Sequence, residues 1–152
     1  MGKIIARFIQ DVETLEVIRR KLHDIVQYYP EFNKWWNVKV MPDITNGRRM
    51  VCAAYYNGIL AGIMVLKNDE EKKICTLYVL PEYRGQGIGT FLVRLAIQTL
   101  GTTKPIITVP EPVYDCFDIF LGSFGFRESA RYPDYYVEGV TEIVYNGYLP
   151  PK

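Results

Sequence analysis

The chain has 152 residues, 49% of them apolar and 23% charged, and carries a formal net charge of +1. This is the composition of one globular domain, residues 1–152, long enough to bury a real core. The near-neutral charge gives no electrostatic case for nucleic acid or an anionic membrane as partner, and no apolar run reaches the roughly 20 residues that cross a bilayer.

The N-terminus becomes polar too quickly for a signal peptide, and Lys3 to Ile9 reads as a first strand. Asp11 can cap a helix in which Leu15, Ile18, Leu22 and Ile25 recur at spacings of three and four, with Pro30 ending it. The segment EFNKWWNVKV is ambiguous, with a short second helix as one reading. Arg49 to Tyr56 and Ile59 to Lys67 are β-rich runs around Asn57-Gly58, the pattern of a hairpin. A polar turn leads to a third run, Lys73 to Leu80. A helix with Ile88, Phe91, Leu92 and Leu95 inward follows and closes at Gly101. Lys104 to Val109 reads as a strand, Val113 to Leu121 as a helix, and Phe126–Arg131 and Thr141–Tyr145 as final strands. The order predicts an α/β fold, a mixed sheet of about seven strands with about four helices on its faces.

The cysteines, Cys52, Cys75 and Cys116, are odd in number and form no CxxC pair, and His23 is the single histidine. Neither a disulfide framework nor a metal site is expected, and a reducing, cytoplasmic setting is.

Between the third β-run and the central helix stand three glycines in Arg84-Gly85-Gln86-Gly87-Ile88-Gly89. Glycine is a costly way to begin a helix. A helix N-terminus, however, offers unpaired N–H groups and a partial positive charge, and glycine lets a phosphate approach that backbone. With Arg84 as a cation this is a plausible pyrophosphate cradle. A dinucleotide fingerprint fails on spacing, because Thr90 holds the third glycine's slot and Val109 stands where the acid belongs. A P-loop fails because no lysine follows the glycines.

The stretch Thr76 to Gly89, with its Leu-Tyr-Val strand, Pro81, the Arg84-x-x-Gly87-x-Gly89 loop and Gly125-Phe126 downstream, strongly resembles the acetyl-CoA motif of GNAT-type N-acetyltransferases. The resemblance implies a GNAT-like fold over nearly the whole chain. It implies that the strand before the loop splays from the Lys104–Val109 strand and admits coenzyme A. The backbone of Leu77 and Val79 would pair with pantetheine, the amide near Val79 facing the thioester oxygen. The amides of Arg84, Gly85, Gln86, Gly87 and Gly89, with Thr90 beyond, would hold the pyrophosphate. The activity implied is acetyl transfer from acetyl-CoA to a primary amine of a small molecule, peptide or protein, by direct attack in a ternary complex. The alternative is a catalytically weak or inactive acyl-CoA-binding sensor.

The chain departs from the family where the catalytic acid is expected. The tyrosine four residues before the glycine of Gly125-Phe126 is replaced by Leu121, and the asparagine at the start of that helix by Tyr114. Tyr114 is then the candidate acid, and Glu111 and Asp115 are candidate bases, with Glu70 and Glu71 read as exposed turn charges. Cys116 reads as a small buried apolar group, and Arg48-Arg49 as a solvated basic pair. The aromatics Tyr28, Tyr29, Phe32, Trp35 and Trp36, and later Tyr132, Tyr135 and Tyr136, divide between core and a wall of the acceptor pocket. Exposed strand edges late in the chain would permit a homodimer.

Overall fold

The computed structural model describes residues 2–152. Seven strands form one sheet: β1 (Ile4–Ile9), β2 (Arg49–Tyr56), β3 (Ile59–Asn68), β4 (Lys72–Val79), β5 (Ile106–Pro110), β6 (Glu128–Tyr132) and β7 (Glu142–Tyr145). Their spatial order is β1-β2-β3-β4-β5-β7-β6. All neighbours are antiparallel except β4 and β5, which run parallel. The hairpin between β2 and β3 turns through Asn57 and Gly58 at φ 50° and 85°, the left-handed pair that an Asn-Gly turn supplies at least cost.

Strand alternation sorts the core into two layers. Cys52 and Ala54 of β2 and Met64 and Leu66 of β3 face α4 (Ile88–Leu100) and α5 (Tyr114–Gly122). Val51, Ala53, Ile63 and Val65 face α1 (Val12–Lys21) and the helical segment that follows it. The fit of α4 on the sheet is close. A Cβ on Gly62 of β3 would stand 2.8 Å from Ile88 Cγ2 and 3.1 Å from Leu92 Cδ1.

The first layer of helices departs from the periodicity. Asp11 caps α1, its carboxylate accepting from the Thr14 amide at 2.9 Å, but the helix stops at Lys21 rather than running to Pro30. A tighter 3-10 turn, His23–Gln27, replaces it. That turn keeps Leu22 in the core while carrying Tyr28 and Tyr29 over the sheet. The ambiguous segment is one continuous helical stretch: α2 (Phe32–Trp35), a π-helical turn (Trp36–Val40) and α3 (Met41–Ile44). Pro42 has no N–H for an ordinary helical bond. The π turn absorbs the interruption, with the Met41 amide donating to the Trp36 carbonyl five residues back.

Strands β4 and β5 pair at only two positions, Lys73 with Ile106 and Ile74 with Ile107. Beyond them the two strands diverge and the sheet opens in a V. Just past the closed end β4 bulges at Cys75, since Leu66 pairs with Ile74 and Val65 with Thr76.

Candidate active site

The V exposes one edge of β4. The Leu80 amide donates to the Ala61 carbonyl at 2.8 Å, on the β3 side. Alternation along an antiparallel strand then directs the polar groups of Tyr78 and Thr76 to β3, and those of Leu77 and Val79 to the opposite edge. The Val79 carbonyl confirms the direction, because it accepts from Arg84 Nε at 3.0 Å on that open side. Peptide groups of Leu77 and Val79 therefore face a gap that a partner strand would ordinarily fill.

The gap leads to the start of α4. Gly85 and Gly87 take φ 80° and 82°, where a side chain is strained, and a Cβ on either would meet nothing within 4 Å. The loop is thus bare backbone beside open space. The first amide bonded within the helix is that of Phe91, which donates to the Gly87 carbonyl at 3.1 Å. The amides of Ile88, Gly89 and Thr90 stand in the unpaired first turn, at the positive end of the helix dipole. Gly89 has a second reason to be glycine: its Cβ would lie 3.3 Å from Phe120 Cζ, where α5 crosses.

One cavity of about 1040 Å³ joins the loop, the V and the opposite face of the sheet. Leu77, Val79, Arg84, Gly85, Gly87, Gly89 and Thr90 all line it. The guanidinium of Arg84 lies against β4, 5.7 Å from the Tyr78 ring centroid. Gln86 does not line the cavity; its Oε1 accepts from the Tyr56 hydroxyl at 3.4 Å. The dimensions and free backbone donors fit an extended pantetheine with a diphosphate at the helix end.

The three acid and base candidates are not part of this cavity. α5 turns Cys116, Phe117 and Phe120 toward it, beside Val113 of the turn before it, and at 100° per residue Tyr114 and Asp115 point elsewhere. The Tyr114 hydroxyl donates to Glu128 Oε1 at 3.1 Å, and Arg131 lies 5.0 Å from its ring centroid. Loss of water raises the Tyr114 pKa, and the Glu128 carboxylate raises it further. Glu111 Oε2 sits 3.5 Å from Arg131 Nη1, and Asp115 is exposed. Cys116 is exposed and lines the cavity, rather than being buried in the core. Leu121, where the family's tyrosine would stand, is fully buried.

On the far side of the V the cavity has a polar floor, the hydroxyls of Tyr29 and Thr108, backed by Glu142, which does not itself line it. Glu142 of β7 is 2% exposed, and its Oε2 accepts from the Thr108 hydroxyl at 2.6 Å and the Tyr29 hydroxyl at 2.7 Å. Burial pushes the Glu142 carboxyl above the usual carboxylate range, against the two hydrogen bonds that stabilise its charge. Burial, then the Glu142 charge, pushes the Tyr29 hydroxyl well above the usual phenol range. Thr108, Tyr29 and Tyr136 line the cavity, and the Tyr29 and Tyr136 rings meet edge-on at 5.3 Å. Of the aromatic run, Phe32 and Trp36 are core, while Tyr28, Tyr29 and Trp35 reach the cavity. Arg49 is 8% exposed rather than solvated, and Glu71 lines the cavity, paired with Lys67 at 3.2 Å. The sequence signal for Glu142 is a lone acid heading an otherwise apolar strand, Glu-Ile-Val-Tyr.

Among the described residues, no group of three or more His, Cys, Asp or Glu could hold a metal ion, and no helix is long and apolar enough to cross a membrane.

Comparison with known proteins agrees with this fold. The family model described as Acetyltransferase (GNAT) family matches residues 13–104. No curated protein matches the chain. A GNAT-family structure from Desulfovibrio desulfuricans superposes with a TM-score of 0.72 at 17% identity, covering 94% of this chain and 97% of that one. An Arabidopsis thaliana protein bound to a bisubstrate analogue of coenzyme A, acetyl and the peptide MVNAL gives 0.70 at 18% identity, covering 95% and 99%. A Thermoplasma acidophilum N-acetyltransferase in complex with coenzyme A gives 0.66 at 22% identity, covering 96% and 99%. The fold is shared with all three, and the family match spans more than half of the sequence: the chain belongs to the GNAT family of acetyltransferases.

Proposed function

We propose that this domain moves the acetyl group of acetyl-CoA to a primary amine by direct attack within a ternary complex. The observation that carries the reading is the continuous cavity. It runs from a glycine-built helix N-terminus, along the unpaired edge of β4, to an aromatic pocket on the opposite face. In this reading the amides from Gly85 to Thr90 hold the diphosphate, the Arg84 amide being taken by the Pro81 carbonyl at 3.3 Å, and Leu77 and Val79 pair with pantetheine. An amide of that edge polarises the thioester oxygen, an arrangement worth roughly 3 kcal/mol at the transition state. Holding amine and thioester together supplies much of the remainder.

The amine must lose a proton. Glu142, its carboxyl made more basic by burial, is the base we favour over Glu111 and Asp115, with the Tyr29 hydroxyl between it and the cavity. The α5 wall supplies no acid in place of Tyr114, and none is required, because a thiolate is a tolerable leaving group. The free thiols of Cys52, Cys75 and Cys116 suit a reducing, cytoplasmic setting. A homodimer through the free edge of β6 belongs to the same proposal.

The test is release of coenzyme A thiol from acetyl-CoA with a panel of amines, the product identified by mass spectrometry. Intersecting initial-rate lines are expected for a ternary complex; parallel lines would overturn it. Gly87→Val tests the cradle separately. The strained φ should cost about 1–2 kcal/mol of stability, and the rise in Tm on adding acetyl-CoA should vanish. An undiminished rise would remove the cradle assignment.

A further inference from the structure

The acceptor side of the cavity carries a charge arrangement that the acetyl donor does not explain. Arg49 pairs across the sheet with Lys67, and Lys67 pairs with Lys73. Directly opposed residues on neighbouring strands point to the same face, so three cations stand side by side on β2, β3 and β4. All three line the cavity. Like charges directly opposite each other destabilise a sheet, and these are at least half-buried, where screening by water is weak.

The protein neutralises the row only in part. Glu71 takes Lys67 at 3.2 Å, and Asp43 Oδ2 stands 3.7 Å from Arg49 Nε, beyond hydrogen-bond reach. Arg49 Nε is buried without a hydrogen-bond partner. The Arg49 guanidinium lies 5.4 Å from the Trp35 ring centroid, and its Nη1 reaches only the Cys75 sulfur, at 3.5 Å. Lys73 has neither an ion pair nor a side-chain hydrogen bond among the described residues. Leaving a buried guanidinium donor unpaired is costly, and a ligand oxygen would repay that cost.

We propose that the acceptor amine carries an anionic group, a carboxylate or a phosphate, which docks on Arg49, Lys67 and Lys73. The proposal rests on the acetyltransferase reading and names the acceptor class for it. The row lies at the closed end of the V, where Lys73 pairs with Ile106, four residues before Leu77. Four strand residues span about 13 Å, less the bulge at Cys75 and the reach of a lysine. The anion and the reacting nitrogen are therefore several bonds apart, as in an ω-amino acid or a short peptide, and not adjacent as in a free α-amino acid.

Matched amines test this: 6-aminohexanoate against hexylamine, and 6-aminohexyl phosphate against 6-aminohexanol. Each is titrated by calorimetry into protein saturated with coenzyme A, which needs no turnover, and assayed for thiol release with acetyl-CoA. At least one anionic member should bind about tenfold more tightly than its neutral partner, and the arm that does so names carboxylate or phosphate. Lys73→Gln should reduce that ratio toward one, and Lys73→Arg should restore it. Equal binding within both pairs, with a normal Tm rise on acetyl-CoA, would overturn the acceptor class alone. No Tm rise with acetyl-CoA or coenzyme A would bring down the acetyltransferase reading and this one with it.

Discussion

Glu142 is the proposed base, and its environment makes opposed demands. Two hydroxyl donors, Thr108 and Tyr29, favour its charge, while near-complete burial disfavours it, and burial dominates. A carboxyl whose folded pKa lies above its unfolded value keeps its full contribution to stability below the ordinary glutamate range. That contribution is lost as pH rises toward the raised folded value. Glu142→Gln removes the titration but keeps a carbonyl to accept from both hydroxyls. The variant should therefore gain stability over the parent as pH rises from 4.5 to 8, read as the difference in Tm at each pH. A difference independent of pH would mean that desolvation is not what shifts this group. If Glu142 is also the base, the same variant should lose about 10²–10⁴ in kcat and the acid limb of its pH–rate profile. A protein made more stable and nearly inactive by one amide is an outcome that a purely structural role does not give. Tyr114 offers the contrast. At the family's asparagine position it looks catalytic by alignment, yet one helix position decides its fate, and it faces Glu128 and Arg131 instead of the cavity.

At the scale of elements, α4 is the part that must not move, because its N-terminus is the proposed diphosphate site and its C-terminal turns anchor the core. Gly62 sets its height above the sheet. In Gly62→Val a branched side chain would be forced against Ile88 and Leu92, both fully buried or nearly so. Overpacking of this kind costs about 1–3 kcal/mol, measurable by urea denaturation. Ile88 opens the helix, so the displacement falls on its first turn and acetyl-CoA should bind more weakly as well. Stability lost with unchanged acetyl-CoA affinity would mean that the strain is absorbed at Leu92. The sequence made these elements legible where the signal was local. Seven strands, the Asn57-Gly58 hairpin, the Asp11 cap and the glycine loop each rest on residues within a few positions of one another. The break after Lys21 was not legible, because it answers to packing against a sheet formed later in the chain; Pro42 marks an interruption, but not whether the helix ends there or continues through a π turn. The same limit hid the polar floor: Tyr29 and Glu142 are 113 residues apart and meet only through the topology. It hid the cation row too, since Arg49 reads as a surface pair with Arg48 until the register sets it opposite Lys67.

At the scale of the whole molecule, the sheet is two sheets with a narrow seam. β1 to β4 form an antiparallel unit of four strands, β5, β7 and β6 a second of three, and two parallel pairs join them. The backbone edge facing the gap is left without a strand, so the seam should be the weakest line in the native state. In the proposed binding mode a pantetheine bridging that gap would do the work of a missing strand, and its binding energy would go into holding the halves in register. Acetyl-CoA at 100 times its Kd adds about 2.7 kcal/mol of stability, and for a chain of this size that corresponds to a Tm rise of about 5–10 °C. Simple mass action predicts the rise wherever the ligand binds. The seam predicts in addition where protection appears. Amide exchange should slow in β5, β7 and β6, which the cradle does not touch, at least as much as in the hairpin of β2 and β3. Protection confined to β4 and the first turn of α4 would mean that the halves are already rigidly joined, and that the donor fills the V without closing it.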